Sequence, residues 1–481
     1  MRIHRLCILA IVLWSFVARS AVPCFATDEF DEGMAAFKKG DFATAVQHFR
    51  RDAESQPQEP LPLTWLGLAQ LKAGEVEAAV ETLTKAIELA PDSAEAQHIL
   101  GDAFWKLGKA QEAIEAYQEA IFLQPHYVLP HHNLGTVYLA LGDLDRALGE
   151  FTVAVELAPE NAHAQNNLGV CWERKGDLSK AIEAYRKAVS LEDKNAGFRL
   201  NLALALRRQG DVKGAEQELL RLSASNSSEP AVYVSLGAIA YERADYATAA
   251  DWFRRALALD PNSSIGHYNL GLCERELGHM PEAKLAFQKA TKIDPGLAAA
   301  QLSLGEMLLE EGDAAGAVEH FAAALKVEPQ SYTAAFNLGL AYATLGNEEE
   351  AIHVWTALAE SRPDDQALLQ ALASAHFKLH RFDDAKREYL KLLELQPDNV
   401  VAHNHLGIIY EEFGQLEEAR SSYERALAID PKYARAHNNL GVLYERQGDM
   451  KSALEEYRAA LAADPTLEDA RRNIQRLEEV E

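Results

Sequence analysis

Apolar and small residues recur along the chain at a fixed spacing of 34 residues. The stretch from His437 to Pro465 matches the stretch from His403 to Pro431, and steps of 34 residues from Ala26 reach Leu467 without an insertion or deletion. Each step contains two runs with helical periodicity, separated by Gly and closed by Pro. This pattern predicts tandem helical hairpins that bury their apolar faces against one another.

The thirteen predicted repeats span residues 26–59, 60–93, 94–127, 128–161, 162–195, 196–229, 230–263, 264–297, 298–331, 332–365, 366–399, 400–433 and 434–467. Numbered 1 to 34 within a repeat, several positions have a clear physical role. Small residues at positions 8 (Gly or Ala) and 20 (always Ala) predict close approach of the two helices. Gly at position 15 is typical of a left-handed helix cap. Pro at position 32 ends the second helix.

Asp often follows the glycine of position 15, for example at Asp143, Asp177 and Asp449. We expect these side chains to cap the second helix. After the last repeat, residues 468–481 predict a capping helix with a polar outer face. Residues 190–230 depart from the pattern, because Asp193 and Ser227 replace proline. This departure indicates either tolerated drift or a flexible joint.

Residues 1–26 differ from the rest of the chain. They contain basic residues, no acidic residue and an apolar run from Leu6 to Ala18. A basic start followed by a short apolar run and small residues is typical of a secretory signal peptide. We expect an exported, periplasmic protein cleaved after Ala26, with Ser20 as the other candidate site. The alternative is a protein anchored in the membrane by an uncleaved segment.

The formal net charge of −26 argues against a nucleic-acid partner, which requires a basic face, and against a membrane partner beyond the N-terminal segment. Export would permit disulfides. However, Cys171 and Cys273 lie three repeats apart, farther than the roughly 7 Å that a disulfide spans. We therefore expect free thiols.

The repeat resembles the tetratricopeptide repeat family over residues 26–467. The resemblance implies an all-α fold, a right-handed superhelical α-solenoid, with a concave groove. In this family the groove is lined by positions 2, 5, 6, 9, 12 and 13 of the first helices. The implied partners are proteins or peptides.

Asparagine recurs at position 6, and the six residues are Asn133, Asn167, Asn201, Asn269, Asn337 and Asn439. This series is similar to the asparagine ladder of O-linked N-acetylglucosamine transferases, which implies a grip on peptide backbone. The interruptions at Ser235, Ser303, Ala371 and His405 weigh against a continuous grip. The alternative is that these asparagines satisfy polar groups between helices.

The first repeats place large apolar residues at predicted groove positions. They are Phe30, Met34, Phe37, Leu61, Trp65, Leu68, Leu71, Ile99 and Trp105. Exposed aromatic residues at this density predict an anchor site for a partner or a face for self-association. The alternative is that they pack over neighbouring repeats.

Other polar residues are candidate sites. Arg174, Arg207, Arg208 and Arg275 fit either a site for acidic side chains or internal ion pairs. The recurrence of His131, His267, His403 and His437 at position 4 indicates a structural role. His98 with Asp102 and His132, and His376 with His380, have the spacing of metal ligands, but such groups arise often by chance.

The expected function is a non-enzymatic scaffold that binds proteins or extended peptides in the groove, in envelope assembly or secretion. We expect no catalytic residues, no cofactor and no metal. The alternatives are a non-catalytic recruiting module of an enzyme complex, such as a glycosyltransferase, and a weak metal-binding protein.

Overall fold

Each repeat folds as two helices joined by a tight turn. The computed structural model describes residues 27–225 and 227–478, and these residues form 27 α-helices and no strand. The all-α fold and the α-solenoid architecture are thus confirmed. Hairpins are numbered 1 to 13 in the order of their repeats. The predicted segment 1–26 lies outside the described residues.

The described residues divide into two units, one up to Ile239 and one from Ala240. The first unit contains α1 (Asp28–Lys39), α2 (Phe42–Ser55), α3 (Pro60–Ala73), α4 (Val76–Leu89), α5 (Ala94–Lys106), α6 (Ala110–Leu123), α7 (Val128–Leu141), α8 (Leu144–Leu157), α9 (Ala162–Arg174), α10 (Leu178–Leu191), α11 (Ala196–Gln209) and α12 (Val212–Ala224). Helix α13 (Pro230–Glu242) contains the division.

The second unit contains α14 (Tyr246–Leu259), α15 (Ser264–Glu276), α16 (Met280–Ile293), α17 (Ala298–Glu310), α18 (Ala314–Val327), α19 (Tyr332–Thr344), α20 (Glu348–Ser361), α21 (Gln366–Lys378), α22 (Phe382–Leu395), α23 (Val400–Glu412), α24 (Leu416–Ile429), α25 (Ala434–Arg446), α26 (Met450–Ala463) and α27 (Glu468–Glu478). None of the described helices is long and apolar enough to cross a membrane.

The small residues at positions 8 and 20 lie where the helices of a hairpin meet. Every alanine at position 20, from Ala45 to Ala453, is fully buried. The position-8 glycine faces the large side chain at position 24: a Cβ atom on Gly101 would lie 2.6 Å from the ring of Tyr117. The predicted close approach is confirmed, because the helices touch where the residues are smallest.

The turns inside the hairpins have a left-handed residue at position 15. Its glycines have φ between 72° and 93°. The two repeats without glycine keep the conformation, with Ala244 at φ 58° and His380 at φ 55°. The predicted N-caps are also confirmed: Asp143, Asp177 and Asp449 each accept a hydrogen bond from a backbone N–H three residues later.

Eight of the turns between hairpins are held by the side chain at position 4. It hydrogen bonds the carbonyl oxygen of position 32 in the preceding repeat, as His131 does with Pro125 at 3.1 Å. The same contact is made by His267, His403 and His437, by Gln165 and Gln301, and by Arg199 and Tyr233. The structural role predicted for the position-4 histidines is therefore confirmed.

The irregular turns at Asp193 and Ser227 keep this contact. Arg199 donates to the carbonyl of Asp193 at 2.7 Å, and the Tyr233 hydroxyl donates to that of Ser227 at 3.1 Å. Loss of proline at position 32 therefore leaves the inter-repeat hydrogen bond in place. At both turns these contacts favour tolerated sequence drift and not a flexible joint.

Candidate functional site

The asparagines at position 6 fall into two groups according to their hydrogen bonds. In the first group the side-chain Nδ2 atom contacts position 5 of the preceding hairpin. Asn167 contacts Nε2 of His132 at 3.2 Å, Asn201 donates to Oδ1 of Asn166 at 2.9 Å, and Asn133 contacts Nε2 of His98 at 3.0 Å. These side chains therefore tie one first helix to the next.

The same tie occurs at the other end of the chain. Asn439 donates to Oδ1 of Asn404 at 3.0 Å, and Asn473 of α27 donates to Oδ1 of Asn438 at 3.2 Å. We call Asn133, Asn167, Asn201 and Asn439 the tied asparagines. For them, the structure favours the interpretation that asparagine satisfies polar groups between helices.

Asn133 makes more side-chain hydrogen bonds than the other tied asparagines. Its Nδ2 atom also donates to Oδ1 of Asp102 at 2.7 Å, and the same oxygen accepts the hydroxyl of Tyr117 at 2.6 Å. Burial, together with the nearby Asp102 carboxylate, raises the pKa of Tyr117. The Tyr117 hydroxyl therefore remains a hydrogen-bond donor at neutral pH.

Asn269 and Asn337 form the second group, which we call the untied asparagines. Within the described residues, neither side chain makes a hydrogen bond, and both are partly exposed. For Asn337 the reason is the neighbouring residue: Leu302 occupies position 5 of the preceding repeat and offers no acceptor. The equivalent position before Asn269 is Val234, which is also apolar. Each untied amide retains two donors and one acceptor.

The partners of the tied asparagines were not predicted in this role, and His98 and His132 appear in the sequence analysis only as candidate metal ligands. His98, His132, Asn166 and Asn404 lie 35 residues before the asparagine that each one contacts. The signal in the sequence is a polar residue at position 5, which predicts a tie only in combination with asparagine at position 6 of the next repeat.

The predicted interruptions of the series differ in structure. Ser235 and Ser303 are buried. The His405 ring stacks on Tyr389, and its Nδ1 atom contacts the carbonyl of Val401 at 2.8 Å. Serine and histidine carry no side-chain amide. The asparagine series is therefore interrupted at these positions, and the untied asparagines are not part of a continuous series.

The expected exposed apolar groove in hairpins 1 to 3 is wrong for four residues. Phe37 is 8 % exposed, Trp65 is 5 % exposed, Leu71 is 2 % exposed and Ile99 is 8 % exposed. The rings of Phe37 and Trp65 meet edge to face at 5.6 Å. Both belong to the core between hairpins 1 and 2, so they pack over their neighbours.

The remaining residues of that predicted groove are half-buried. Phe30, Met34 and Leu68 pack against the same core, and Trp105 packs against the core of hairpins 3 to 5. Self-association through this region stays a prediction.

The arginines are used internally. Arg208 pairs with Glu173 at 2.6 Å, and Glu173 also accepts the Tyr185 hydroxyl. Arg174 donates to the carbonyl of Leu139 at 3.3 Å, and Arg275 lies 3.6 Å from Glu306. These contacts favour internal pairing over a site for acidic partner residues.

The metal-ligand trio considered from the sequence is only partly assembled. Nε2 of His98 lies 3.7 Å from Asp102, but both histidines of the trio are engaged by asparagine. In the part of the chain that the structure describes, Glu29, Glu32 and His48 form the one group with metal-compatible spacing. There Nδ1 of His48 lies 2.7 Å from Glu29 and 3.3 Å from Glu32, which is the geometry of an ion pair.

The second predicted pair, His376 and His380, is divided between a helix and a turn. His380 is the left-handed residue after α21, and its ring contacts Phe382. Nδ1 of His376 is buried without a partner, and burial lowers the pKa of this ring. The two rings therefore have different local roles.

Family models of the tetratricopeptide repeat match most of the chain. One model matches residues 30–94, 66–128, 132–197, 200–264 and 302–366, which is more than half of the sequence. Further models of the same repeat match residues 266–297, 367–399, 388–421, 412–448 and 434–467. A comparison with curated proteins gives no match.

Solved structures with similarity include the MamA protein, at 31 % identity over 35 % of this chain and 92 % of that one, with a TM-score of 0.31. PilF of Pseudomonas aeruginosa is 23 % identical over 42 % of this chain and 93 % of that one, with a TM-score of 0.39. The APC/C hetero-tetramer Cut9–Hcn1 is 16 % identical over 98 % of both chains, with a TM-score of 0.38. On the family-model matches, this chain belongs to the tetratricopeptide repeat family.

Proposed function

We propose that this protein is a non-enzymatic scaffold that binds extended segments of partner proteins along the first helices of hairpins 8 to 10. The repeat family supports a role in protein–protein interaction. The observation that carries the location is the pair of untied asparagines, Asn269 and Asn337, whose amide groups have no hydrogen-bond partner among the described residues.

A primary amide suits a peptide backbone, because it offers both a donor and an acceptor to a group that offers one of each. The tied asparagines have already committed an N–H to a neighbouring helix. The untied asparagines have not, so their donors can form hydrogen bonds with a ligand without breaking an internal one.

Apolar residues next to the untied asparagines fit the apolar side chains of a peptide. Ile265, on the same helix as Asn269, is 57 % exposed. Leu272 and Leu340, one turn after Asn269 and Asn337, are partly exposed. Apolar side chains of the peptide would pack on these residues while its backbone meets the amides.

The spacing of the two amides sets a minimum ligand length. They lie two repeats apart, which is on the order of 20 Å for helices packed about 10 Å apart. An extended peptide rises about 3.3 Å per residue, so about six residues are required to reach both amides.

Binding is tested by selecting peptides from a nine-residue library and measuring affinity by calorimetry. Each hydrogen bond contributes about 0.5–1.5 kcal/mol, so N269A or N337A alone weakens binding a few-fold and the double variant by about ten-fold or more. A four-residue peptide gains little from the second amide. The control is N439A, which removes a tied asparagine from the same unit. Wild-type affinity in the double variant would show that peptides bind elsewhere.

We also propose that residues 1–26 direct export, and that the scaffold acts in envelope assembly or secretion. The support is the basic start and the apolar run from Leu6 to Ala18. Intact-mass measurement on protein from its native host is expected to show loss of the first 20–26 residues. A full-length cytoplasmic product would contradict export.

A further inference from the structure

The Asp102 carboxylate fixes the orientation of a neighbouring amide. A carboxylate only accepts hydrogen bonds, so the Asn133 group 2.7 Å from it must be the Nδ2 end. The same Nδ2 atom lies 3.0 Å from Nε2 of His98, which must then be the acceptor. The His98 proton is therefore on Nδ1, from which it points to the Tyr127 hydroxyl at 3.2 Å.

This orientation determines which group is the donor in each of the next hydrogen bonds. Oδ1 of Asn133 faces away from Asp102 and lies 3.3 Å from Nδ1 of His132, which donates to it. Nε2 of His132 therefore accepts from Nδ2 of Asn167 at 3.2 Å. Oδ1 of Asn167 accepts from Asn166 at 3.3 Å, and Oδ1 of Asn166 accepts from Asn201 at 2.9 Å. All donors point in one direction, from α11 to α5.

In this series of hydrogen bonds every ring nitrogen already acts as a donor or as an acceptor, so an additional proton on either histidine has no acceptor. A proton on Nε2 of His132 would face the N–H of Asn167, and accommodating it by an amide flip would require Asn166 and Asn201 to reverse as well. A proton on Nε2 of His98 would face Asn133, whose amide is fixed by Asp102. Protonation of either ring thus breaks a tie between hairpins.

We propose that this chain of hydrogen bonds is a pH-sensitive tie between hairpins 3 to 6, which holds them while His98 and His132 are neutral and loosens them in acid. The inference concerns the first unit and is independent of the proposed peptide site, which lies in the second.

The charged and titratable groups around His98 come from three helices and a turn. They are Lys72 on α3, Glu95 and Asp102 on α5, Tyr117 on α6 and Tyr127 before α7. Burial lowers the pKa of His98; Asp102 and Glu95 oppose this effect and Lys72 adds to it. The net direction is down, so the neutral ring is favoured.

His132 has a similar balance. Burial lowers its pKa, the hydrogen bond to Asn133 and the charge of Asp102 raise it, and His163 on α9 lowers it. The ring also packs edge to face on Phe151 of α8. The pKa of His132 is again lowered overall.

The sign of the pH effect follows from these directions. A histidine in an unfolded chain has a pKa of about 6.5, so below this pH the unfolded state takes up protons that the folded state refuses. Stability is therefore complete above about pH 6.5 and falls as the pH drops toward the folded-state pKa values of His98 and His132.

His131, one residue before His132, behaves in the opposite way. Burial lowers its pKa, but hydrogen bonds to Glu150 and to the carbonyl of Pro125 outweigh this and raise the pKa overall. His131 therefore stabilises the fold more at low pH. The two adjacent histidines provide an internal comparison with opposite signs.

The test replaces each histidine by asparagine, the residue that other repeats of this protein have at position 5. Asn166 and Asn404 accept the same tie without a titratable ring. The double variant H98N/H132N is expected to match the wild type near pH 7.5 in thermal midpoint, and to lose less of that midpoint at pH 5. H131N is expected to lose more. Identical pH dependence of H98N/H132N and wild type would overturn the proposal.

A reciprocal variant covers the case in which H98N/H132N is destabilised at every pH. N404H introduces a histidine at an equivalent tie in the second unit and should create an acid loss there. Hydrogen exchange, corrected for intrinsic rates at each pH, should then place the acid-sensitive amides in hairpins 3 to 6 of the wild type and also in hairpins 12 and 13 of N404H. Uniform exchange across all hairpins in both proteins would refute the tie.

Discussion

Trp355 lies directly over Gly339: a Cβ atom on Gly339 would be 2.1 Å from Nε1 of the indole. The indole N–H donates to the carbonyl of Phe336 at 3.1 Å, so the ring cannot move away without losing that bond. Gly339 is helical, and what requires glycine there is the facing ring and not the backbone conformation.

Replacement of Gly339 by alanine is expected to destabilise the protein by about 1–3 kcal/mol, because the methyl group overpacks the interface. The control is Gly149, which is exposed in α8 and would give a Cβ atom no neighbour within 4 Å. G149A should stabilise by about 0.5–1 kcal/mol, as alanine does inside a helix. Urea unfolding followed by circular dichroism measures both; a shift of the same sign in the two variants would contradict the packing argument.

Ala244 provides a test of the left-handed turn. Its φ of 58° is a conformation that costs an L-residue about 1–2 kcal/mol, and every other repeat except the one with His380 uses glycine there. A244G is expected to stabilise the protein by up to about 1 kcal/mol. The reverse change, G142A, should destabilise it, because Gly142 has φ 81°. Unfolding midpoints that move in any other order would show that the turn is not strained.

The hairpins could be predicted because their determinants recur in single columns of the repeat. Ala at position 20 and Gly at position 15 have the same neighbours in every repeat, so one physical argument covers all of them. The asparagine site could not be predicted in the same way, because the role of Asn133 or Asn337 depends on the residue 35 positions earlier. The exposure expected for Phe37 and Trp65 was wrong because, at hairpins 1 and 2, positions assigned to the groove pack into the core.

Cys171 and Cys273 are fully buried and free, as predicted. Burial raises the pKa of Cys171 to about 11 and that of Cys273 to about 12. Since the thiolate is the reactive form, both should resist alkylation by iodoacetamide at pH 8 in the folded protein. Both should react in denaturant without a reducing agent. Peptide mapping by mass spectrometry distinguishes the two sites; rapid labelling of folded protein would mean that the hairpins open easily.

The distinction between tied and untied asparagines has a consequence for stability. N133A removes the donor to both His98 and Asp102 and leaves the buried His98 ring and the partly buried Asp102 carboxylate without that partner. The expected cost is about 1–3 kcal/mol. N337A removes a side chain that makes no hydrogen bond within the described residues, so its unfolding free energy should change by less than about 0.5 kcal/mol. Both changes delete the same atoms from the same repeat position, so helix propensity and lost side-chain entropy nearly cancel in the comparison. Equal costs in urea unfolding would mean that the tie contributes nothing, and position 6 would then have one role throughout the chain.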